Sequence, residues 1–253
     1  MAATKDLAFV LKTHDYRETS LMADLYTRGH GKVRGIIKGI RDTRARFGGT
    51  LEPFSLNEIL FYRKKKGGDM HLVTHVECLD AYPAVRGDLE RLAQACYCTE
   101  LLNELSGAED PSPASFDLFR DVLGFLGTGA SPRRAARIFE IKLLGELGLM
   151  PETRACVSCG RPAPDPAYFS VPAGGIHCKG CGSGQGVPIS KGALQFIEHV
   201  RRSDVAGLGR VKVSQEVGAE LEKTLRRFID YQLPAKLKTL TFMEKMETAF
   251  ARN

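Results

Sequence analysis

Cys156, Cys159, Cys178 and Cys181 form two Cys-x-x-Cys pairs with 18 residues between them. Each pair spans a tight turn that presents two thiolates to one ion, and the intervening chain returns the second pair. Four sulfurs at roughly 2.3 Å complete a tetrahedral shell for Zn2+. A closed shell of this kind has no open position for water or substrate, so the metal is expected to be structural. A dithiol redox centre needs one such pair, not two matched ones. Gly160, Gly180 and Gly182 follow the ligands closely and are expected at positive φ. His177 is expected as an exposed loop residue. Arg154, Arg161 and Lys179 stand near enough in sequence to offset the charge of four thiolates. Cys78, Cys96 and Cys98 fit no ligand spacing and are read as buried thiols.

The second chemical signal is cationic. Net charge is +6, and from Arg28 to Lys66 eleven Lys and Arg stand against Asp42, Glu52 and Glu58. A block of this sign suits a polyanion, with a solvated surface as the plain alternative. Strand alternation places Lys32, Arg34 and Lys38 on one face. Arg41, Arg44 and Arg46 follow in a loop with Phe47, and Lys64 and Lys65 stand at a hairpin tip beside Gly67-Gly68. Basic side chains that track phosphates, with rings nearby for bases, are what a single-strand groove requires. The chain has no Trp, so binding is expected to lean on phosphate charge, to tolerate sequence and to weaken steeply with salt. Arg201, Arg202, Arg210 and Lys212 make a lesser cluster at a helix end, where they also complement the helix dipole.

Catalytic signatures are missing. There is no GxxxxGK[ST] phosphate loop and no HExxH. Gly182, Gly184 and Gly186 alternate inside the cysteine segment and do not follow a strand, which removes a dinucleotide fingerprint. His14-Asp15 has no nucleophile near it in sequence. The reading is a protein without an active site. No apolar run approaches the roughly 18 residues of a membrane span, and the charged start lacks a signal-peptide core, so a cytoplasmic location is expected.

Positioning these groups requires two kinds of element. Up to residue 80, period-two alternation marks five strands, over Asp6–Thr13, Thr19–Thr27, Gly31–Gly39, Phe54–Tyr62 and His71–Glu77. Five short strands suit a small barrel, either an OB-fold or an SH3-like one. Beyond Tyr82-Pro83 the period turns helical: Leu89 to about Ser106, Ser115–Leu126, and a helix capped by Ser131-Pro132 that runs to Gly148. Residues 153–186, rich in Cys, Gly and Pro, read as a loop-built insert. Helices resume over Ser190–Arg202, Ser214–Gln232 and about Ala235–Phe250. The expected class is α+β with several domains: a barrel over 1–80, a helical domain in two parts over 81–152 and 187–253, and a four-cysteine zinc module over 153–186. From these residues alone a zinc-ribbon RNA-binding or transcriptional adaptor remains an alternative to a DNA-binding protein.

His14-Asp15-Tyr16-Arg17-Glu18, Tyr26-Thr27-Arg28-Gly29-His30-Gly31-Lys32, Lys38-Gly39-Ile40-Arg41, Arg46-Phe47-Gly48-Gly49 and Leu51-Glu52-Pro53-Phe54 resemble, in order and spacing, the N-terminal signature of bacterial RecO. The helical second half with its four-cysteine insert is similar to the zinc-containing members of that family. The resemblance implies an N-terminal OB-fold, a helical domain and a zinc finger. It implies binding to single- and double-stranded DNA, annealing of complementary strands, and association with RecR and with the tail of single-stranded-DNA-binding protein. It further implies help in loading RecA recombinase without nucleotide consumption. The family's basic barrel surface falls on Arg34, Lys38, Arg41, Arg44 and Arg46, and its zinc ligands on the four paired cysteines. Asp42-Thr43 departs from a loop that is often more basic in the family.

Overall fold

A computed structural model describes residues 3–38, 51–63, 70–162, 164–182, 184, 186–210 and 213–250. The chain divides into two compact units, residues 1–127 and 128–253. Among the described residues no helix is long and apolar enough to cross a membrane.

In the first unit, β1 (Ala3–Tyr16), β2 (Ser20–Thr27), β3 (Gly31–Ile37), β4 (Leu56–Tyr62) and β5 (Met70–Asp80) close a barrel in the order β1-β2-β3-β5-β4. Strand β1 pairs antiparallel with both β2 and β4, while β3 and β5 run parallel. This is the OB-fold order, and it resolves the choice between barrels that alternation left open. The length of β1 lets one strand serve two neighbours, and a register shift between Val10 and Lys12 bends it around the barrel. Ala8, Val10, Ala23, Leu25, Val33, Ile37, Ile59, Phe61, Val73 and Val76 fill the interior.

The outside of the barrel is covered at one end. Phe9 points outward from β1 yet is fully buried. Its ring centroid lies 4.7 Å from that of Phe116 and 4.8 Å from that of Phe119. Both partners sit on α3 (Pro113–Gly127), which follows α1 (Pro83–Arg86) and α2 (Leu89–Leu105). Helix α2 starts where the Asp88 side chain accepts from the Arg91 backbone N–H at 2.9 Å, satisfying an otherwise unpaired donor of the first turn. Burying a ring the size of Phe9 stabilises by about 1.5–3 kcal/mol, so this contact is a principal tie between barrel and helices.

The second unit holds α4 (Pro132–Glu146), β6 (Ala167–Ser170), β7 (Gly175–Cys178), α5 (Lys179–Gly182), β8 (Val187–Ile189), α6 (Lys191–Arg202), α7 (Gln215–Gln232) and α8 (Lys238–Phe250). Ser131, Ser190 and Ser214 cap α4, α6 and α7, accepting from Arg134, Ala193 and Val217 N–H groups at 3.4, 3.1 and 3.3 Å. Ile138, Ile141, Leu144, Phe196, Ile197, Val200, Leu221 and Leu225 are buried on α4, α6 and α7, which pack on one another. The segment expected to be built of loops carries an antiparallel three-stranded sheet, in the order β7-β6-β8. Strands of three and four residues are too short to display alternation, and all of Gly175–Cys178 is buried, so neither face reads as polar. Phe169 on β6 meets Phe228 of α7 edge-on with centroids 6.0 Å apart, fixing the small sheet to the helices.

Candidate metal centre and nucleic-acid interface

The small sheet assembles the four cysteines. Cys156 and Cys159 lie in a tight turn closed by Gly160 N–H donating to the Cys156 carbonyl at 2.8 Å. Gly160 has φ 72°, as the turn demands. Gly180 and Gly182 do not share that conformation among the positive-φ residues. Gly182 is instead required by space, because a Cβ there would collide with the Cβ of His177. The second pair follows from β7, which ends at Cys178, and from the turn of α5, which carries Cys181. Backbone bonds from Val157 N–H to the Ile176 carbonyl and from Ile176 N–H to that of Glu152, both 2.9 Å, bind the first turn to β7.

All four sulfur atoms lie within 4.8 Å of one another. Cys159 and Cys178 Sγ are 3.8 Å apart, and a tetrahedral shell with bonds of about 2.3 Å has edges of about 3.8 Å. The donor set therefore fits a tetrahedral ion. Backbone N–H groups, that of Cys178 foremost, pull the Cys156 thiol down to about 5 against the effect of burial. The N–H of Cys181 likewise lowers Cys178. Cys181, bonded to the Cys178 and Cys159 thiols, is pushed up to about 12. Lowering the Cys156 and Cys178 thiols favours the thiolate form, which is the form that ligates a metal ion.

His177 is not the exposed residue that its sequence neighbours suggested. It is buried in β7, with Nδ1 3.1 Å from the hydroxyl of Ser158, so it ties one cysteine turn to the other. Arg154 pairs with a carboxylate: its Nε donates to Glu198 of α6 at 3.0 Å. Arg201 Nη1 reaches the same carboxylate at 2.8 Å, and Arg202 Nη2 lies 3.7 Å from it. Glu198 went unnoticed in the sequence because its three guanidinium partners come from two separate segments.

On the barrel, β3 projects Lys32, Arg34 and Ile36 away from the core, and Lys38 follows its last residue. Lys32 is half-buried, and its ammonium donates to the Asn103 carbonyl at 2.6 Å. Arg34 forms a two-pronged pair with Asp24, at 2.6 and 3.3 Å. Both line a polar cleft of about 380 Å3 with His71, Asn103 and Glu109. Lys38 is exposed. Arg41, Arg44, Arg46, Phe47, Lys64 and Lys65 lie outside the described residues. Arg63 Nη2 pairs with Glu109 at 2.6 Å. The cationic strand is therefore partly engaged internally, and the exposed charge rises toward its C-terminal end.

Comparisons with known proteins agree with this architecture. The profile described as Recombination protein O N terminal matches residues 1–82, and Recombination protein O C terminal matches residues 86–241. DNA repair protein RecO of Anaeromyxobacter dehalogenans (strain 2CP-C) is 34% identical over 250 residues, covering 97% of this chain and 98% of the relative. The protein of the same description from Desulforamulus reducens is 32% identical over 94% of this chain and 93% of its own. That of Syntrophus aciditrophicus is 31% identical over 97% of each.

Proposed function

The chain belongs to the RecO family of DNA repair and recombination proteins, and from that premise we propose that it binds single- and double-stranded DNA on its barrel and anneals complementary strands. The mechanism is charge neutralisation. Two strands repel in solution, and a shared cationic surface releases their counterions and lets them approach. The observation that carries the reading is the exposed pair Arg34, on the outward face of β3, and Lys38, just after it, which precede the run Arg41, Arg44 and Arg46 in sequence, with Lys64 and Lys65 as further proposed phosphate contacts. On this reading the protein acts in the cytoplasm without a catalytic step. With RecR it helps place RecA recombinase on strands covered by single-stranded-DNA-binding protein, whose tail is a further partner.

One zinc ion held by Cys156, Cys159, Cys178 and Cys181 completes the proposal. The ion supplies a fixed tetrahedral centre, and the chain's own residues supply its frame: β7 and Gly160 set the turns while His177 and Ser158 link them. The role is structural because four thiolates leave no open position.

Strand annealing at low salt by the wild type and by an Arg41→Glu/Arg44→Glu/Arg46→Glu variant tests the reading. The variant is expected to anneal at least tenfold more slowly, since each lost phosphate contact lowers affinity and each added carboxylate repels the strand. Equal rates remove this run from the mechanism. Preference for RNA over random single-stranded DNA in competition would favour an RNA-binding adaptor instead.

A further inference from the structure

The four cysteines differ in their access to solvent. Cys156 and Cys178 are buried and Cys181 is half-buried, but Cys159 is exposed. It stands in the turn 157–161, of which Val157, Ser158, Gly160 and Arg161 are exposed as well. Its sulfur nonetheless lies 3.8 Å from that of buried Cys178, across the two turns. The backbone sets this contact. Val157 N–H donates to the Ile176 carbonyl at 2.9 Å, and each cysteine follows its bonded residue by two positions. Cys178 is fixed from the other side by β6, where it aligns with Ala167. One sulfur is therefore open to solvent, and a second is held beside it.

Thiolates are the form that reacts with peroxides, and the reactive ones are exposed and have cations near them. Exposed Arg161 and Lys179 stand close in sequence to Cys159 and Cys178 and give the module that sign. The Cys159 sulfur can take an OH group from hydrogen peroxide. The O–O bond breaks and hydroxide leaves, so the sulfur is oxidised by two electrons and the peroxide is reduced. The Cys178 thiolate then attacks that sulfur; the S–S bond forms, the S–O bond breaks and a second hydroxide leaves. Two protons from solvent turn the hydroxides into water. Only Cys156 and Cys181 then remain as thiolates, too few for a shell of four. The new bond joins one pair to the other, unlike that of a dithiol redox centre, which closes within a single Cys-x-x-Cys.

We infer that Cys159 is the point at which a peroxide attacks this module, that the product is a Cys159–Cys178 disulfide, and that the metal leaves as the bond forms. Metal release rests on the proposal that the four sulfurs hold zinc; the bond itself needs only the sulfurs. Once made, it takes the place of the ion in joining the first turn to the end of β7. Oxidation therefore differs from chelation. The cross-link retains the frame by restricting the unfolded chain, and removal of the metal alone does not.

The test uses the reduced, full-length protein, freed of reductant, with hydrogen peroxide as the probe. Zinc is followed with a colorimetric chelator, and the bond by mass-spectrometric mapping of the linked residues. Peroxide is expected to release the zinc as two hydrogens are lost, with the bond mapped to Cys159 and Cys178. Hydrogen-exchange protection at Val157 and Ile176 is expected to persist, and dithiothreitol with added zinc to restore the starting state. A bond closed within either Cys-x-x-Cys pair overturns the assignment. So does a module that keeps its zinc and its thiols while Cys78, Cys96 or Cys98 oxidises. A Cys159→His variant keeps a donor for zinc and removes the attacked sulfur. Its zinc is expected to leave about tenfold more slowly under peroxide, and release at the wild-type rate overturns Cys159 as the point of attack. If that variant holds no zinc, the wild-type map alone decides. Wild type that carries no zinc removes the metal proposal, and the mapped bond then upholds or overturns the oxidation by itself.

Discussion

The ammonium of Lys32 donates to the carbonyl of Asn103 at 2.6 Å, joining β3 to the last turn of α2. A side chain of the type and spacing that suits phosphate binding is thus spent on holding a helix to the barrel. Burial lowers the Lys32 pKa, opposed by Glu104 and Asp24, as expected of a cation partly withdrawn from water. Lys32 and the exposed Lys38 are therefore expected to separate in experiment. Lys32→Ala should cost about 1.5 kcal/mol of stability, the scale of a charge-assisted hydrogen bond, with little effect on strand affinity. Lys38→Ala should leave stability unchanged and reduce the salt slope of binding by about one. Urea titration and salt-dependent anisotropy on both variants check this; a Lys32 variant that loses affinity but not stability reverses the assignment.

Phe9→Ala should destabilise the first unit by about 3–5 kcal/mol, because the fully buried ring packs on Tyr82, Phe116 and Phe119 and its removal leaves a cavity among them. The urea midpoint should fall with little change in slope. A loss below about 1 kcal/mol would mean that the outer contact between barrel and α3 is dispensable.

The barrel strands were legible because period-two alternation spans most of each strand, and the Ser131 cap because a hydroxyl followed by a first-turn proline marks a helix start. Alternation assigns two faces and stops there. It separates Phe9 from Ala8 and Val10 but carries no information that α3 covers the face of Phe9. It likewise separates Met22 from Ala23 and Ile36 from Ile37, and only the strand register aligns Met22, Ile36 and Leu72 in a row. The gathering of the two cysteine pairs was legible from spacing alone. The sheet that positions them was not, since Ala167–Ser170 and Gly175–Cys178 are shorter than the pattern needed to recognise a strand. The burial of His177 follows from that sheet and was hidden with it.

Protein purified under reducing conditions should carry one equivalent of zinc. Chelation should abolish hydrogen-exchange protection at Val157 and Ile176, whose N–H groups bond across the cysteine turns, and leave barrel amides such as Val10 protected. Cys178→Ser should lower the metal content and give the same exchange pattern without chelator. Well under one equivalent in folded, reduced wild type would defeat the assignment of the four sulfurs as a metal site.

Glu198 gives the second unit a defined acid sensitivity. Its carboxylate accepts from Arg154 at 3.0 Å and Arg201 at 2.8 Å, so it links α6 to the chain just before Cys156. Burial pushes the carboxyl up, but Arg154 and Arg201 together outweigh it and hold the group below its ordinary 4.5. A depressed carboxylate stabilises the fold in full above its unfolded value, and the contribution is lost as pH falls through the lower folded value. Glu198→Gln should therefore reduce stability by on the order of 1 kcal/mol at pH 7, a figure kept small because the partners reach solvent. The difference from wild type should shrink below about pH 4.5 as Glu198 itself takes up a proton and comes to resemble the amide. Urea midpoints of the pair from pH 7 down to about pH 3 provide the measurement. A gap as wide at the acid end as at neutrality would show that the carboxylate's charge is not what the three arginines hold.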